Sequence, residues 1–293
     1  MSTVTVGIIG GSGLGQALGA LGGERVKVET PFGPPSADPW VTEVSGVRCV
    51  LLPRHGEGHR FPPSQVPYRA NIWALKKLGV TRVLASAAVG SLREAIAPRE
   101  LVICDQVIDK TFRRTNTFFD DVVVHTEMAA PFCPSLRKTL LDVGYKKTRV
   151  HDKGAYVCVE GPQFSTRAES ELHRAWGADV VGMTVMPEAR LAREAELCYA
   201  LIALPTDYDC WRPPVAEVSH QELLQEILGN LDAARGHALE LIRNVLPEIS
   251  QLAASVCGCQ HALGKGAIWT DPARIPAETR QRLALLLDKH LPR

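Results

Sequence analysis

Apolar positions along this chain fall into two interleaved patterns. Short apolar or β-branched runs occur at "TVTVGIIG" near the N-terminus, "VRCVLLP" (47–53), "RVLASAAV" (82–89), "LVICDQVI" (101–108), "AYVCVE" (155–160) and "CYALIALP" (198–205). Their length and composition predict buried strands. Between them, "PYRANIWALKKLG" puts Ile72, Leu75 and Leu78 on one helical face and stops at Gly79. "SLRKTLLDVG" and "TRAESELHRAWG" end at glycines in the same way, and "SHQELLQEILGNLDAARGHALELIRNVLPEI" keeps a 3–4 apolar spacing behind Ser219, its expected N-cap. Strands alternating with helices over residues 1–250 predict an α/β fold: a single domain with a central mixed β-sheet flanked by helices. Residues 251–293 carry a cysteine pair, a loop at Asp271-Pro272 and the helical pattern "PAETRQRLALLLDKHL", which reads as a C-terminal helical tail packed on the domain or on a neighbouring subunit.

Charge narrows the partners. With 33 basic and 32 acidic residues among 293, nothing points to nucleic acid or to an anionic membrane surface, and clusters such as Lys110 to Arg114 are too small to change that. No run of 18 apolar residues appears, and the N-terminus lacks the basic region and cleavage site of a secretory signal, so the expected location is the cytoplasm. Of eight cysteines only Cys257 and Cys259 are close in sequence. With His261 they supply too few ligands for a structural zinc site, and reduced thiols are the expectation, a strained Cys-x-Cys disulfide the lesser alternative.

Three places carry chemistry. The turn "GGSGLG" after the first strand offers backbone N–H groups to an anion. It nevertheless breaks the dinucleotide pattern at Gln16, the P-loop at Gln16-Ala17 and the nucleophile elbow at Leu14. "LLPRHGEGHRFPP" places Arg54, His55 and His59 at a strand C-terminal end, where α/β proteins hold ligands. The Arg fork grips phosphate oxygens at two points and His can donate another bond. "ALPTDYDCW" ends a strand with two carboxylates, Asp207 and Asp209, which an extended chain would turn to the same side.

Taken in order, "GIIGGSGL", "ETPFGPPS", "LPRHG.GHR.PP..V.YRANIWALK", "AVGSLRE", "PFCP", "EGPQFSTRAES", "GMTVMPEA.LARE" and "TDYDCW" resemble the methylthioadenosine phosphorylase branch of the purine nucleoside phosphorylases, and "CGCQHALGKGAI" is similar to the tail of its microbial members. The resemblance implies an enzyme that phosphorolyses 5′-methylthioadenosine to adenine and 5-methylthioribose 1-phosphate. It implies a homotrimer or dimer of trimers that uses inorganic phosphate as co-substrate and no metal or organic cofactor. It assigns phosphate to Ser12, Arg54, His55 and Thr184, and the nucleoside to Ala88, Gly90, Phe164, Met183, Asp207 and Asp209. His125 would reach the 5′ pocket of an adjacent subunit, and His220 and Leu223 would line that pocket.

The two acids argue for a 6-aminopurine: Asp207 would serve N7 and Asp209 would accept from the amino group, whereas a 6-oxo group would be repelled by a carboxylate. Two positions depart from the family. Ala87 stands where relatives have a phosphate-binding hydroxyl, so weaker phosphate binding is expected. His220 stands where the animal enzymes have an aliphatic residue, so adenosine is an expected second substrate. The alternatives are a 6-oxopurine nucleoside phosphorylase, a nucleosidase that uses water, and a nucleoside-binding protein without turnover.

Overall fold

The computed structural model describes residues 4–11, 22–212, 219–252, 257–264 and 266–291. The elements in chain order are β1 (Val6–Gly10), β2 (Glu24–Arg25), β3 (Trp40–Val44), β4 (Val47–Pro53), α1 (Tyr68–Lys77), β5 (Arg82–Ser91), β6 (Leu101–Ile103), β7 (Gln106–Asp109) and α2 (Pro134–Asp142). Then follow β8 (Val150–His151), β9 (Ala155–Cys158), α3 (Arg167–Ala175), β10 (Val180–Gly182), α4 (Val185–Glu194), β11 (Cys198–Asp207), α5 (His220–Gln251), α6 (Ala277–Arg282) and α7 (Ala284–Leu287). Every strand and helix expected from the pattern is present. The run at 101–108 divides into β6 and β7, and the last helical pattern divides into α6 and α7.

The helix ends follow local chemistry. Gly79 takes φ +81° just past α1, a left-handed conformation that costs a glycine little. Thr166 and Ser219 each form a reciprocal capping box, with Glu169 and Glu222 respectively. Along β1 and β4 the side chains alternate between two apolar layers. Ile9, Val50 and Leu52 face the layer that holds α1 and α4; Ile8, Cys49 and Leu51 face α5, whose Ala234, Ala238, Leu241, Ile242, Val245 and Ile249 are buried at 3–4 spacing. A mixed sheet sandwiched between helices follows. Ile275, Leu283, Leu286 and Leu287, beyond residue 250, join the α1 layer. No helix among the described residues is long and apolar enough to cross a membrane.

The sheet runs β2-β3-β4-β1-β5-β10-β9-β7, with β11 also on β5, β6 on β11 and β8 on β6. Strand β5 is its hub. Parallel β11 follows it from Arg82 to Gly90 on one side. On the other side, parallel β1 pairs with Arg82 to Ala85, and antiparallel β10 takes over only at Gly90 and Ser91. Among the described residues, positions 86–89 therefore lie along a gap between the end of β1 and β10. This is a strand-order switch, the usual place for a ligand in an open α/β sheet.

Strand β10 packs close to β9. A Cβ on Gly182 would lie 2.0 Å from the hydroxyl of Tyr156, which is fully buried, so that ring has no room to yield. Gly182→Ala is expected to destabilise the fold by about 1–3 kcal/mol through overpacking. Urea unfolding with an unchanged midpoint would contradict this packing.

Candidate active site

At one end of the gap lies Arg54, the first residue after β4. Its side chain is entirely buried, which an unpaired charge could not tolerate. Glu188 in α4 receives Nε and Nη2 in two 2.7 Å bonds, and Nη1 donates to the Ser86 carbonyl at 2.7 Å. The Tyr199 hydroxyl donates to the same Glu188 at 2.7 Å. Burial opposes the charge on Arg54, but the paired carboxylate outweighs it and raises the pKa above its usual range. A guanidinium carries five N–H bonds, and three are engaged here, so among the described residues two remain open. Nη1 lies against Gly11, where a Cβ would come within 3.2 Å of it and 3.1 Å of the Ser86 carbonyl oxygen. The close approach of the glycine turn to Arg54 thus depends on a missing side chain. Ser12 itself lies outside the described residues.

His55 follows in the same loop, which Ser36 ties down by donating its hydroxyl to the Pro53 carbonyl at 2.7 Å. Its Nδ1 stands 2.8 Å from the Phe61 carbonyl oxygen, and a carbonyl only accepts, so Nδ1 holds the hydrogen. Burial lowers the pKa to about 4, which keeps the ring neutral near pH 7. The expected donor to phosphate is therefore reversed: Nε2, unpartnered among the described residues, is an acceptor.

Thr184 caps the gap from the β10 side. It is buried, and its N–H faces the Tyr156 hydroxyl at 3.4 Å. Met183 beside it is half-buried, and a Cβ on Gly161 would strike its sulfur at 2.5 Å, so the "EGPQ" turn needs that glycine. Arg114 fastens both segments. It donates to the carbonyls of Met183 (2.7 Å), Met186 (2.6 Å) and Glu160 (2.7 Å), and its Nε meets the Glu160 carboxylate at 3.0 Å. Against the cost of its burial, bonds from Ser64, the Phe112 N–H, the Arg114 guanidinium and the Arg113 N–H bring the Glu160 pKa down to about 2. Nothing in the "KTFRR" cluster marks Arg114 as a structural latch. Phe164, on the loop that follows, is 77% exposed, which rules out core packing and leaves its ring face open.

Asp207 and Asp209 stand at the other end of β5. Asp207 ends β11, accepts the Thr206 hydroxyl at 2.6 Å, and accepts the Asp209 N–H at 2.9 Å. The extended geometry expected for the pair does not occur. Asp209 opens a 3-10 turn (Asp209–Trp211) with φ +48°, and that turn, not strand pleating, folds it back towards its neighbour. Both pKa values are raised, chiefly by burial; the Asp209 charge adds to the rise at Asp207. Asp209 Oδ2 is buried and in no fully formed hydrogen bond among the described residues, while the Ser170 hydroxyl and the Cys210 N–H act on the same carboxyl group and partly oppose the rise. Gly90 makes room for the pair: a Cβ there would lie 3.2 Å from the Asp209 Cβ and 3.6 Å from Asp207 Oδ2. Ala88 and Gly90 are both half-buried along the gap, while Ala87 is buried with its Cα near Gly11. From Ser86 to Gly90 the strand covers roughly 13 Å, a span suited to a nucleoside with an anion beyond its sugar.

Three predicted residues are not gathered here. His125 is exposed and packs its ring edge-on against Trp269 at 4.7 Å, lining a separate open depression of about 570 Å³ with Asp120, Arg190 and Glu194. Leu223 is 42% exposed in the first turn of α5. His220 begins that helix, and its side chain is not among those described.

An arginine fork on one side of a strand-order switch and a half-buried carboxylate pair on the other define a site for an anion and a base-bearing sugar. A family profile described as "Phosphorylase superfamily" matches residues 5–247, and the chain belongs to that superfamily. It is 49% identical over 290 residues to the S-methyl-5′-thioadenosine phosphorylase of Geobacter sulfurreducens, covering 98% of this chain and 99% of the relative. The enzyme of that name from Pyrococcus horikoshii is 47% identical over 260 residues, covering 88% of this chain and 97% of its own. Among solved structures, a methylthioadenosine phosphorylase from an antarctic soil metagenomic library aligns with TM-score 0.85 and 44% identity over 98% of this chain and 100% of that one. A methylthioadenosine phosphorylase from Schistosoma mansoni in complex with adenine aligns with TM-score 0.80 and 38% identity over 91% and 99%.

Glu188→Gln removes the only carboxylate bonded to Arg54 among the described residues and strands a fully buried guanidinium. The expected cost is about 3–5 kcal/mol, read from urea unfolding. A loss below about 1 kcal/mol, the range of exposed pairs, would contradict this account.

Proposed function

We propose that this protein phosphorolyses 5′-methylthioadenosine, releasing adenine and forming 5-methylthioribose 1-phosphate. The observation that carries the reading is the half-buried Asp207–Asp209 pair, with Asp209 Oδ2 in no fully formed hydrogen bond among the described residues, at the far end of the gap from Arg54. Cleavage of the C–N bond needs a captured anion on one side of the ribose and an activated base on the other. The open N–H groups of Arg54, the glycine turn with Ser12, and Thr184 would hold phosphate. His55 Nε2 would accept the hydrogen of monohydrogen phosphate. Arg54 and Glu188 cancel in charge, so orientation of the remaining N–H bonds, more than net attraction, would fix the nucleophile. Phosphate then stabilises the cationic sugar as the bond breaks.

Met183 would cover the ribose and Phe164 the purine, beside Ala88 and Gly90. A protonated Asp207 would give its hydrogen to N7, for which its raised pKa is suited. Asp209 Oδ2 would accept from the 6-amino group. With Ala87 lacking a hydroxyl, phosphate has one donor fewer than in relatives that carry one there. No metal or organic cofactor takes part in this chemistry. Because His125 and Leu223 lie outside the gap, their part at the 5′ position would come through an adjacent subunit of a homotrimer or through a closing first turn of α5. A second substrate, adenosine, rests on His220 near that turn. The chain would work in the cytoplasm.

The test compares initial rates on methylthioadenosine, adenosine and inosine. Wild type is expected to favour the two 6-aminopurines over inosine, and Asp209→Asn to narrow that gap, since an amide can donate to a 6-oxo group. Asp207→Asn should lower kcat by about 10²–10⁴. Because the acid form of Asp207 is the active one, wild-type kcat/KM should fall as pH rises through its raised pKa, and the Asn variant should lose that limb. Preferential cleavage of inosine by wild type would overturn the reading.

A further inference from the structure

Four cysteines that the sequence scatters over 127 positions meet at one point. Cys133 immediately precedes α2, Cys198 starts β11, and Cys257 and Cys259 come from the C-terminal segment. Their Sγ atoms all lie within 4.8 Å of one another, with Cys133 and Cys257 at 3.5 Å, and three of the four are buried. A tetrahedral zinc ion with Zn–S bonds of about 2.3 Å needs S–S edges of roughly 3.8 Å. The cluster already has the size of that tetrahedron. Two ligands close in sequence were too few; the fold supplies the other two, and His261 is not needed.

We infer that Cys133, Cys198, Cys257 and Cys259 form a structural zinc site that clamps the C-terminal segment to the sheet. On binding, four thiols release four protons and the ion keeps its charge, leaving a site of net charge −2 and no electron transferred. One feature offsets that charge: Cys133 occupies the N-cap of α2, where the helix dipole and the N-terminal N–H groups favour a thiolate. The backbone holds the ligands in place: the Cys133 N–H donates to the Tyr199 carbonyl at 2.8 Å, next to Cys198.

The site is remote from the candidate active site. Cys198 and Asp207 lie at opposite ends of β11, nine residues apart, or roughly 30 Å. Its effect is instead on the tail. Beyond Cys259, the Leu263 N–H meets Glu196 at 3.2 Å, the Ala267 carbonyl accepts the His125 N–H at 2.9 Å, and Trp269 backs the His125 ring. A clamp at the cysteines therefore secures the segment against which the His125 loop rests.

The test is metal analysis of the full chain purified without chelators, followed by cobalt(II) titration of reduced, metal-free protein and alkylation mapping by mass spectrometry. The expected result is about one zinc per chain, with these four thiols protected until a chelator removes it. Cobalt should produce the sulfur-to-metal charge transfer and intense visible bands of a tetrahedral four-thiolate site. A Cys257→Ser/Cys259→Ser variant should lose the zinc and lower Tm by about 5 °C or more. Should that variant fail to fold, the wild-type cobalt spectrum and alkylation map still decide. Metal-free protein that gives no such spectrum, or four cysteines found paired in two disulfides, would overturn the inference.

Discussion

The site depends on one buried ion pair. Arg54 and Glu188 are both inaccessible to water, and neither could be accommodated alone. Their bidentate contact joins the end of β4 to α4, 134 residues later, and the third arginine bond closes on the Ser86 carbonyl of β5. Three elements are thereby set in register around the gap between β1 and β10. The pair costs desolvation that its own attraction recovers only because both carboxylate oxygens, the Tyr199 hydroxyl and the strand carbonyl are all engaged. What it leaves over is directional: two N–H bonds not engaged among the described residues, held on a rigid fork beside Gly11.

The opposite end of the gap is organised differently. There the carboxylates have no cation partner within hydrogen-bonding distance among the described residues; Asp207 is held by a hydroxyl and a backbone N–H, and Asp209 by the turn it starts. Burial without a counter-charge favours the neutral acid, the state in which a carboxyl group can donate to a departing base. The gap beside β5 thus has a charge-compensated anion cradle at one end and an uncompensated acid pair at the other. Phosphorolysis requires that asymmetry, because the nucleophile enters as an anion and the leaving group departs electron-rich.

Much of this was legible in the chain. Arg54 and His55 follow an apolar run long enough to be a strand, and a cation there stands at a ligand-binding edge. The capping box at Ser219 follows from local chemistry alone. Other features depended on distance. Glu188 reads as an ordinary acid in an amphipathic stretch until the fold places Arg54 against it. Strand β10 has three residues, too few for a period, and β3, "WVTEV", hides its register behind an exposed acid. Asp207 and Asp209 lie together through a turn and not through strand pleating, and the positive φ at Asp209 that makes this turn leaves no mark in sequence. His55 illustrates a subtler limit: its residue type promises a donor, and one carbonyl six residues away makes it an acceptor.

The central claim is that the arginine end of the gap delivers phosphate to the sugar freed at the aspartate end. The most direct measurement follows adenine and sugar phosphate together from methylthioadenosine, with phosphate present and with phosphate removed. Adenine release that requires phosphate and matches 5-methylthioribose 1-phosphate one for one is the predicted result. Adenine released without phosphate, alongside free 5-methylthioribose, would make water the nucleophile and contradict the account.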